Sequence, residues 1–205
     1  MIKMSTTQAL NLFHSYLSIA VDKGIWTQEG GSSFKDHCYL TAAAAEIIAS
    51  KAGLDSRQAY ILGLLHDFGK VLHKEDGGHF HGLLGFEYMN NINEPLVAKV
   101  CITHTFLDKD FNFSDYAGYG LENLKKSKQL LEKIEEDDYS RLIRLSDLLV
   151  NVYRHGTLKE RMVFIKNKYK VDITCLRTKY KKAMYLKNYF DVKCFCDIYD
   201  LLCIR

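Results

Sequence analysis

A polar His-Asp doublet follows an apolar run in the segment Leu64-Leu65-His66-Asp67-Phe68-Gly69-Lys70, and the other candidate functional residues of the chain are best understood in relation to it. The apolar run at 59–65 is typical of a buried helix, and Gly69 can turn the backbone away where that helix ends. The polar groups of His66 and Asp67 emerge at this end, which costs free energy unless something binds them. A nitrogen donor beside a carboxylate suits a divalent metal ion, and the second carboxylate oxygen can bridge to another ion. A histidine there also complements the helix dipole, so the doublet alone leaves both interpretations open.

Length and composition favour one helical body. The chain has 205 residues, enough for a full core in a single domain. Hydrophobic residues make up 47% and charged residues 26%, which is ordinary globular usage. Pro95 is the single proline, and long stretches follow a period of 3.6 residues. We therefore expect an all-α protein.

Membrane and secretory classes are disfavoured by the sequence. No apolar run approaches the ~18 residues that a membrane-spanning helix needs, and the N-terminus lacks a secretory signal pattern. The six cysteines form no C-x-x-C pair, so we expect free, mostly buried thiols in a reducing compartment. A cytoplasmic location is the resulting expectation. The cysteines are Cys38, Cys101, Cys175, Cys194, Cys196 and Cys203.

Basic residues are concentrated near the C-terminus. The net charge is only +3, but residues 154–193 contain twelve Lys or Arg and three Asp or Glu. Such asymmetry favours a phosphate-bearing partner. A solvated basic face on two helices explains the same pattern, so the sequence leaves both readings open.

Capping residues and periodicity place the predicted helices. Residues 30–33, Gly-Gly-Ser-Ser, are expected to break the chain before a helix at 34–52 whose alanines let a neighbour approach closely. Asn93 is expected to cap the helix that contains Pro95, and Asp138 to cap one at 139–154. The remaining predicted helices lie at about 6–24, from 56 to the His66-Asp67 doublet, around 83–89, at 121–136, and in two or three segments of 157–205.

Several further polar residues share the setting of the doublet. His37 lies in the first turn of a predicted helix, and His104 ends an apolar run as His66 does. Asp147 is surrounded by apolar residues, so its carboxylate needs a partner, either Arg144 three residues earlier or a metal ion. With His81, these side chains come from separate helical segments, and helices that converge in a bundle can build a binuclear metal site from them.

Residues 107–120 lack a clear period and contain acids, glycines and aromatics. A loop of this length beside a site is a candidate lid. Its aromatic side chains can stack on a nucleobase, or they can pin the loop to the protein body. These aromatic residues are Phe111, Phe113, Tyr116 and Tyr119.

The order His, His-Asp, His, His, Asp resembles the HD superfamily of metal-dependent phosphohydrolases. The five-site version is similar to the bacterial HD hydrolases of symmetrical dinucleoside tetraphosphates. The resemblance covers about residues 34–155 and implies an HD-domain helical bundle. We expect additional C-terminal helices after it, in one domain of residues 1–205, and the basic extension at about 156–205 departs from the family pattern. The motifs are His37, His66-Asp67 followed by Phe-Gly-Lys, His81-Gly-Leu-Leu-Gly85, Thr103-His104-Thr105, and Arg144-Leu-Ser-Asp147.

The resemblance also implies roles for individual residues. One divalent ion would be held by His37, His66, Asp67 and Asp147, and a second by His81 and His104 with Asp67 bridging. His81 is preferred to His79 because it precedes a glycine by four residues. Asp67 and Lys70 would be catalytic, and Lys70 and Arg144 would contact substrate. Iron, manganese, zinc, nickel and magnesium all suit these ligands.

The resemblance implies hydrolysis of a phosphoester or phosphoanhydride bond in a nucleotide or dinucleoside polyphosphate by metal-activated water. Gly-Tyr-Pro does not follow the doublet, which argues against the cyclic-dinucleotide phosphodiesterase branch. Two alternatives stay open: an HD nuclease acting on single-stranded nucleic acid, and a catalytically inert HD module that binds a ligand. The expected binding partner is a phosphorylated small molecule, and nucleic acid is the second candidate. We expect no membrane association. The sequence leaves open whether the protein forms a homodimer.

Overall fold

The computed structural model describes residues 2–73, 80–151, 153–169 and 172–205. These residues form ten α-helices, two 3-10 helices and one β-hairpin, so the predicted helical class is confirmed. The first half contains α1 Thr6–Asp22, α2 Gln28–Lys51, α3 Ser56–Leu65, a 3-10 helix Phe68–Val71, α4 His81–Asn91 and α5 Pro95–Thr103. The second half contains a 3-10 helix Phe113–Tyr119, α6 Leu121–Lys133, α7 Asp138–Leu148, β1 Val150–Asn151, β2 Arg154–His155, α8 Leu158–Tyr169, α9 Ile173–Cys194 and α10 Ile198–Leu201.

Helix α3 is the centre of the fold. It is apolar on every side from Ala59 onward, and a helix of that composition is stable only when other helices surround it. It packs against α1, α2, α5 and α7. The alanine face of α2 lies against it, as predicted, with Ala42 and Ala45 fully buried. The end of α3 is therefore enclosed by helices that can each deliver a side chain.

Helix α2 begins earlier than predicted. Residues 30–33 are helical rather than a break, because the hydroxyl of Thr27 caps the helix and accepts a hydrogen bond of 3.0 Å from the Gly30 amide. The Trp26 ring stacks on Phe34 with centroids 5.3 Å apart, which fixes the entry of the chain into the helix. Tertiary contacts thus override the weak helix propensity of two glycines.

Two other predicted boundaries are wrong. Asn93 does not cap α5: it has a positive φ of 63°, and Glu94 is the N-cap residue. The predicted helix at 139–154 ends at Leu148, with Asp137 rather than Asp138 as its cap. The antiparallel hairpin of β1 and β2 follows, and His155 anchors it through a hydrogen bond of 2.9 Å to the Leu40 carbonyl. Helix propensity alone gives no sign of that long-range contact.

The aromatic residues of segment 107–120 pack onto the protein. Phe111 is 8% exposed, and its ring stacks on Phe106 with centroids 4.1 Å apart. It belongs to a second apolar cluster that includes Phe80 and Leu124. The structure therefore shows the pinned arrangement for Phe111, and closure of this segment over a substrate stays a prediction.

The C-terminal helices cover α7, β1 and α2. Phe190 of α9 is fully buried in the main core, and the Lys193 ammonium lies 2.8 Å from the Asp138 carboxylate at the start of α7. All six cysteines are free thiols, as predicted. In the described parts of the chain, no helix has both the length and the apolar character needed to cross a bilayer. The assignment of the whole chain to one domain stays a prediction.

The packing of α3 on α2 predicts that Gly63→Ala destabilises the protein. A Cβ at residue 63 would lie 2.7 Å from the Ala42 Cα, and backbone cannot move aside as a flexible side chain can. We expect the free energy of unfolding, measured in urea, to fall by about 1 to 3 kcal/mol despite the better helix propensity of alanine.

Gly118→Ala is the matched control, because a Cβ there meets nothing within 4 Å. It should change the free energy of unfolding by less than about 0.5 kcal/mol. Equal stability of the two variants would contradict the close packing of α2 and α3.

Candidate metal centre

The His66-Asp67 doublet is buried at the end of α3. His66 is 1% exposed and Asp67 2% exposed. The chain then turns through Gly69, where a Cβ would lie only 1.9 Å from the carbonyl oxygen of His81. Only glycine allows the turn to press against the first residue of α4. This contact brings the His81 imidazole to the Asp67 carboxylate.

Backbone carbonyls orient two of the histidines. The Nδ1 atom of His66 lies 2.7 Å from the Gly63 carbonyl, and that of His104 lies 3.1 Å from the Val100 carbonyl. A carbonyl only accepts, so each Nδ1 carries the proton and donates it. Each Nε2 atom then presents a lone pair to the centre of the site, which is the state in which histidine binds a metal.

One group of donor atoms surrounds the Oδ2 atom of Asp67. The Nε2 atoms of His66 and His37 lie 3.6 and 3.7 Å from it. The Oδ1 atom of Asp147 lies 3.2 Å from the His37 Nε2 and 4.0 Å from the His66 Nε2. Donors from α2, α7 and the end of α3 thus enclose one small volume.

A second group surrounds the other oxygen of the same carboxylate. The Oδ1 atom of Asp67 lies 3.0 Å from the Nε2 of His104 and 3.3 Å from the Nε2 of His81. The Tyr119 ring lies beside this group, with its centroid 6.0 Å from that of His81. Asp67 is therefore the shared member of two donor groups, which can each hold a metal ion.

The donor atoms fit a cation. The Nε2 of His104 lies 3.0 Å from the Oδ1 of Asp67, so a cation bound here could take an electron pair from both atoms. Burial, the main cause, lowers the pKa of His66 to about 3, which keeps that imidazole neutral. Nitrogen and oxygen donors without thiolate suit iron, manganese, nickel, zinc or magnesium. The cluster is therefore consistent with divalent metal binding.

Both carboxylates are ionised in spite of their environment. Burial, the largest single effect, raises the pKa of Asp67, but the Lys70 ammonium, 2.6 Å from Oδ2, and the surrounding histidines together outweigh it and hold the pKa well below the ordinary value. Burial also raises the pKa of Asp147, and the opposing effects of His37 and Arg161 leave it far below its usual range. Ionised carboxylates are the form that binds metal.

The structure brings together all six predicted ligands. Lys70 lies beside them, with 29% of its side chain exposed. His79 lies outside the described residues. The roles of the six side chains as ligands, and of Asp67 and Lys70 as catalytic groups, stay predictions.

Arg144 does not pair with Asp147, so the structure excludes one of the two partners that the sequence left open for this carboxylate. Its guanidinium pairs with Glu136, and its Nε donates to the Thr103 carbonyl at 2.9 Å. Arg161 pairs with Asp147 instead, with Nη2 3.4 Å from Oδ1. Sequence reasoning missed Arg161 because fourteen positions and a hairpin separate it from Asp147. A substrate contact of Arg144 stays a prediction, although its side chain is 1% exposed.

Comparison with known proteins identifies relatives of this region. A family model of the HD domain matches residues 34–152. Ribonuclease Y of Opitutus terrae is 39% identical over 71 residues, or 34% of this chain and 13% of that protein. Ribonuclease Y of Mycoplasma capricolum is 36% identical over 80 residues (39% and 16%), and that of Sulfurimonas denitrificans 35% identical over 90 residues (43% and 17%). The chain thus covers less than a fifth of the length of these relatives. No solved structure matches the chain significantly.

The buried neutral state of His66 predicts a pH dependence of stability. The folded pKa is about 3 and the ordinary value is 6.5, so the unfolded chain binds more protons between these values. The contribution of neutral His66 to the free energy of unfolding is complete above about pH 6.5. It is lost as the pH falls from there towards about 3. For metal-free protein, we expect the free energy of unfolding in urea to rise by several kcal/mol between about pH 4 and 7.

His66→Gln removes the titrating group and should flatten this slope. An NMR titration of the His66 ring in the parent protein measures the same pKa directly. A slope that is unchanged in the variant, or a ring that titrates near 6.5, would contradict the buried neutral state.

Proposed function

The chain belongs to the HD domain family, and on that premise we propose that it hydrolyses a phosphoester or phosphoanhydride bond of a nucleotide or dinucleoside polyphosphate with two divalent metal ions. The observation that carries the proposal is the shared carboxylate of Asp67. One of its oxygens faces His37 and His66, and the other faces His81 and His104. A single ion would not need donors on both sides.

The proposed ligands divide into two sets. His37, His66, Asp67 and Asp147 would hold one ion, and His81 and His104 would hold the other with Asp67. When bound, such ions supply a nucleophilic hydroxide near neutral pH and neutralise phosphoryl oxygens. The chain itself fixes the imidazole orientations and keeps both carboxylates ionised.

Lys70 is the proposed substrate-binding cation. Its side chain is partly exposed and its ammonium lies at the edge of the site, in contact with Asp67. Burial lowers the pKa of the ammonium, but the Asp67 carboxylate outweighs burial and raises it above the ordinary value. The group therefore stays charged at any physiological pH and can pair with a non-bridging phosphate oxygen.

Direct attack by water is favoured over a protein nucleophile. The thiols of Cys38 and Cys101 are buried near the site, and burial raises the pKa of both well above the ordinary value. A protonated thiol is a poor nucleophile. Water would form a bond to phosphorus and lose a proton, and the bond from phosphorus to the leaving oxygen would break. The leaving oxygen would take up that proton, or would leave as an anion while the proton passes to solvent.

A ribonuclease is the second candidate, and similarity to proteins named Ribonuclease Y favours it. The basic C-terminal region gives it weaker support, because several of its charges are paired within the protein. The Lys182 ammonium lies 2.5 Å from the Asp108 carboxylate, and Lys187 is 3% exposed and pairs with Asp191. These pairs leave less positive charge for a nucleic-acid strand, and we therefore favour the small substrate.

A substrate panel separates the candidates. Dinucleoside tetraphosphates, mononucleotides, cyclic nucleotides and short single-stranded RNA and DNA would each be incubated with the metal-loaded protein. Release of nucleotides from a dinucleoside polyphosphate or a mononucleotide supports the first proposal. Cleavage of RNA alone, with binding that weakens steeply as salt rises, would favour the second. Turnover of none of them would leave the inert module as the better account.

Asp67→Ala should abolish both metal binding and turnover while the helical fold survives. The substitution removes the one carboxylate that both donor groups share. Elemental analysis of the purified variant measures bound metal, and far-ultraviolet circular dichroism measures helix content. Asp22→Ala, at an exposed end of α1, is the matched control. Retained hydrolysis in the Asp67 variant would refute the site.

Lys70→Met should lower kcat/KM by about 100-fold, a size typical for loss of one group that stabilises developing charge. The variant keeps all six proposed ligands, so it should still bind metal in the same stoichiometry. Steady-state kinetics and elemental analysis are the two measurements. Lys51→Met, at the exposed end of α2, is the control, and equal activity of the two variants would exclude a role for Lys70 in turnover.

A further inference from the structure

Arg161 reaches the candidate metal centre from outside the family domain. It lies on α8, beyond the matched residues 34–152. Its Nη2 atom is 3.4 Å from Asp147 Oδ1, and that oxygen is also 3.2 Å from the His37 Nε2. The guanidinium thus contacts the carboxylate oxygen that faces the histidines.

A backbone contact holds the other prong of the guanidinium. Its Nη1 atom donates a hydrogen bond of 3.2 Å to the carbonyl of Val150, the first residue of β1. The Phe164 ring lies 5.5 Å from the guanidinium carbon. A planar group held by two acceptors and lying close to a ring has little freedom to rotate.

The start of α8 is itself fixed. The Glu160 carboxylate accepts from the Thr157 amide at 2.7 Å, and the Thr157 hydroxyl accepts from the Glu160 amide at 3.2 Å. The Leu158 side chain is fully buried, and its amide donates to the Tyr199 hydroxyl at 3.0 Å. Arg161 follows within the first turn, so its backbone position is determined by contacts independent of Asp147.

The ion pair is shielded from water on both sides. The exposed fractions are 17% for the Arg161 side chain and 18% for the Asp147 side chain. Exposed ion pairs contribute little to stability, because solvent screens their charges and their side chains stay mobile. Both effects are smaller for a pair as buried as Arg161 and Asp147. Arg144, on the same helix as Asp147, pairs with Glu136. Arg161 is thus the arginine that contacts the Asp147 carboxylate in the described part of the chain.

We propose that Arg161 is a positioning residue of the metal centre: its two-pronged contact with Asp147 and Val150 turns the Asp147 carboxylate towards His37 and His66. The inference rests on the proposed function, since it takes Asp147 as a metal ligand. Partners that orient a ligand in this way contribute about 10- to 100-fold to metal affinity. The C-terminal helices thereby contribute to the site as well as to the core.

Calorimetric titration of the metal-free 205-residue chain with Mn²⁺ tests the proposal. In Arg161→Met, we expect one of the two Mn²⁺ affinities to fall by about 10- to 100-fold and the other to stay unchanged. Arg161→Lys keeps the charge but only one prong, so it should recover part of the loss. Arg154→Met is the matched control, because it removes an ion pair with Glu160 of α8 and leaves the side chains of Arg161 and Asp147 in place.

A purely structural role has a different signature. It would lower the unfolding temperature of the metal-free protein and leave both Mn²⁺ affinities as in the parent. Three results would overturn this inference and leave the proposed function in place. They are unchanged Mn²⁺ affinities in Arg161→Met, an equal loss of affinity at both sites, and a loss of the same size in Arg154→Met. If Arg161→Met fails to fold, Arg161→Lys must show the selective loss, and parent affinity in that variant would overturn the inference. A parent protein that binds no Mn²⁺ would overturn both the proposed function and this inference.

Discussion

A carboxylate buried at the end of a central helix is the constraint on which the structure depends. Asp67 is 2% exposed, and an ionised carboxylate in such surroundings costs several kcal/mol unless opposite charge or donors compensate it. The imidazoles that surround it are delivered by α2, α4 and the end of α5, and Lys70 comes from the turn that follows α3. The arrangement of these helices around α3 therefore depends on the contacts that the Asp67 side chain makes. A fold built mainly from apolar packing thus has a polar centre, where the proposed chemistry takes place.

Close backbone approach makes this convergence feasible. Gly63 lets α3 rest on the alanine face of α2, and Gly69 lets the following turn rest on the start of α4. Without these contacts His37 and His81 would lie further from Asp67, and their lone pairs would not meet its two oxygens. The same packing shields the site from water, which strengthens every electrostatic interaction within it. Stability and proposed function therefore depend on the same few contacts.

The sequence predicted the polar centre better than the helix boundaries. His66 and His104 each end an apolar run, and Asp147 lies among apolar residues, so burial and the need for a partner were visible in the local pattern. The start of α2 was misplaced because the local Thr27 cap and the Trp26 ring on Phe34 outweigh the weak helix propensity of two glycines. The hairpin after α7 was not predictable, because the hydrogen bond of His155 to the Leu40 carbonyl is a long-range contact. The partner of Asp147 was missed for the same reason. Local periodicity reports which residues are buried, whereas the identity of their neighbours depends on the tertiary fold.

The central claim is that one carboxylate, Asp67, joins two metal ions. Electron paramagnetic resonance of the protein loaded with two equivalents of Mn²⁺ tests it directly, because ions that share a carboxylate ligand are magnetically coupled. We expect the multiline spectrum of a coupled pair. Two independent six-line signals, or only one bound ion at saturation, would contradict it.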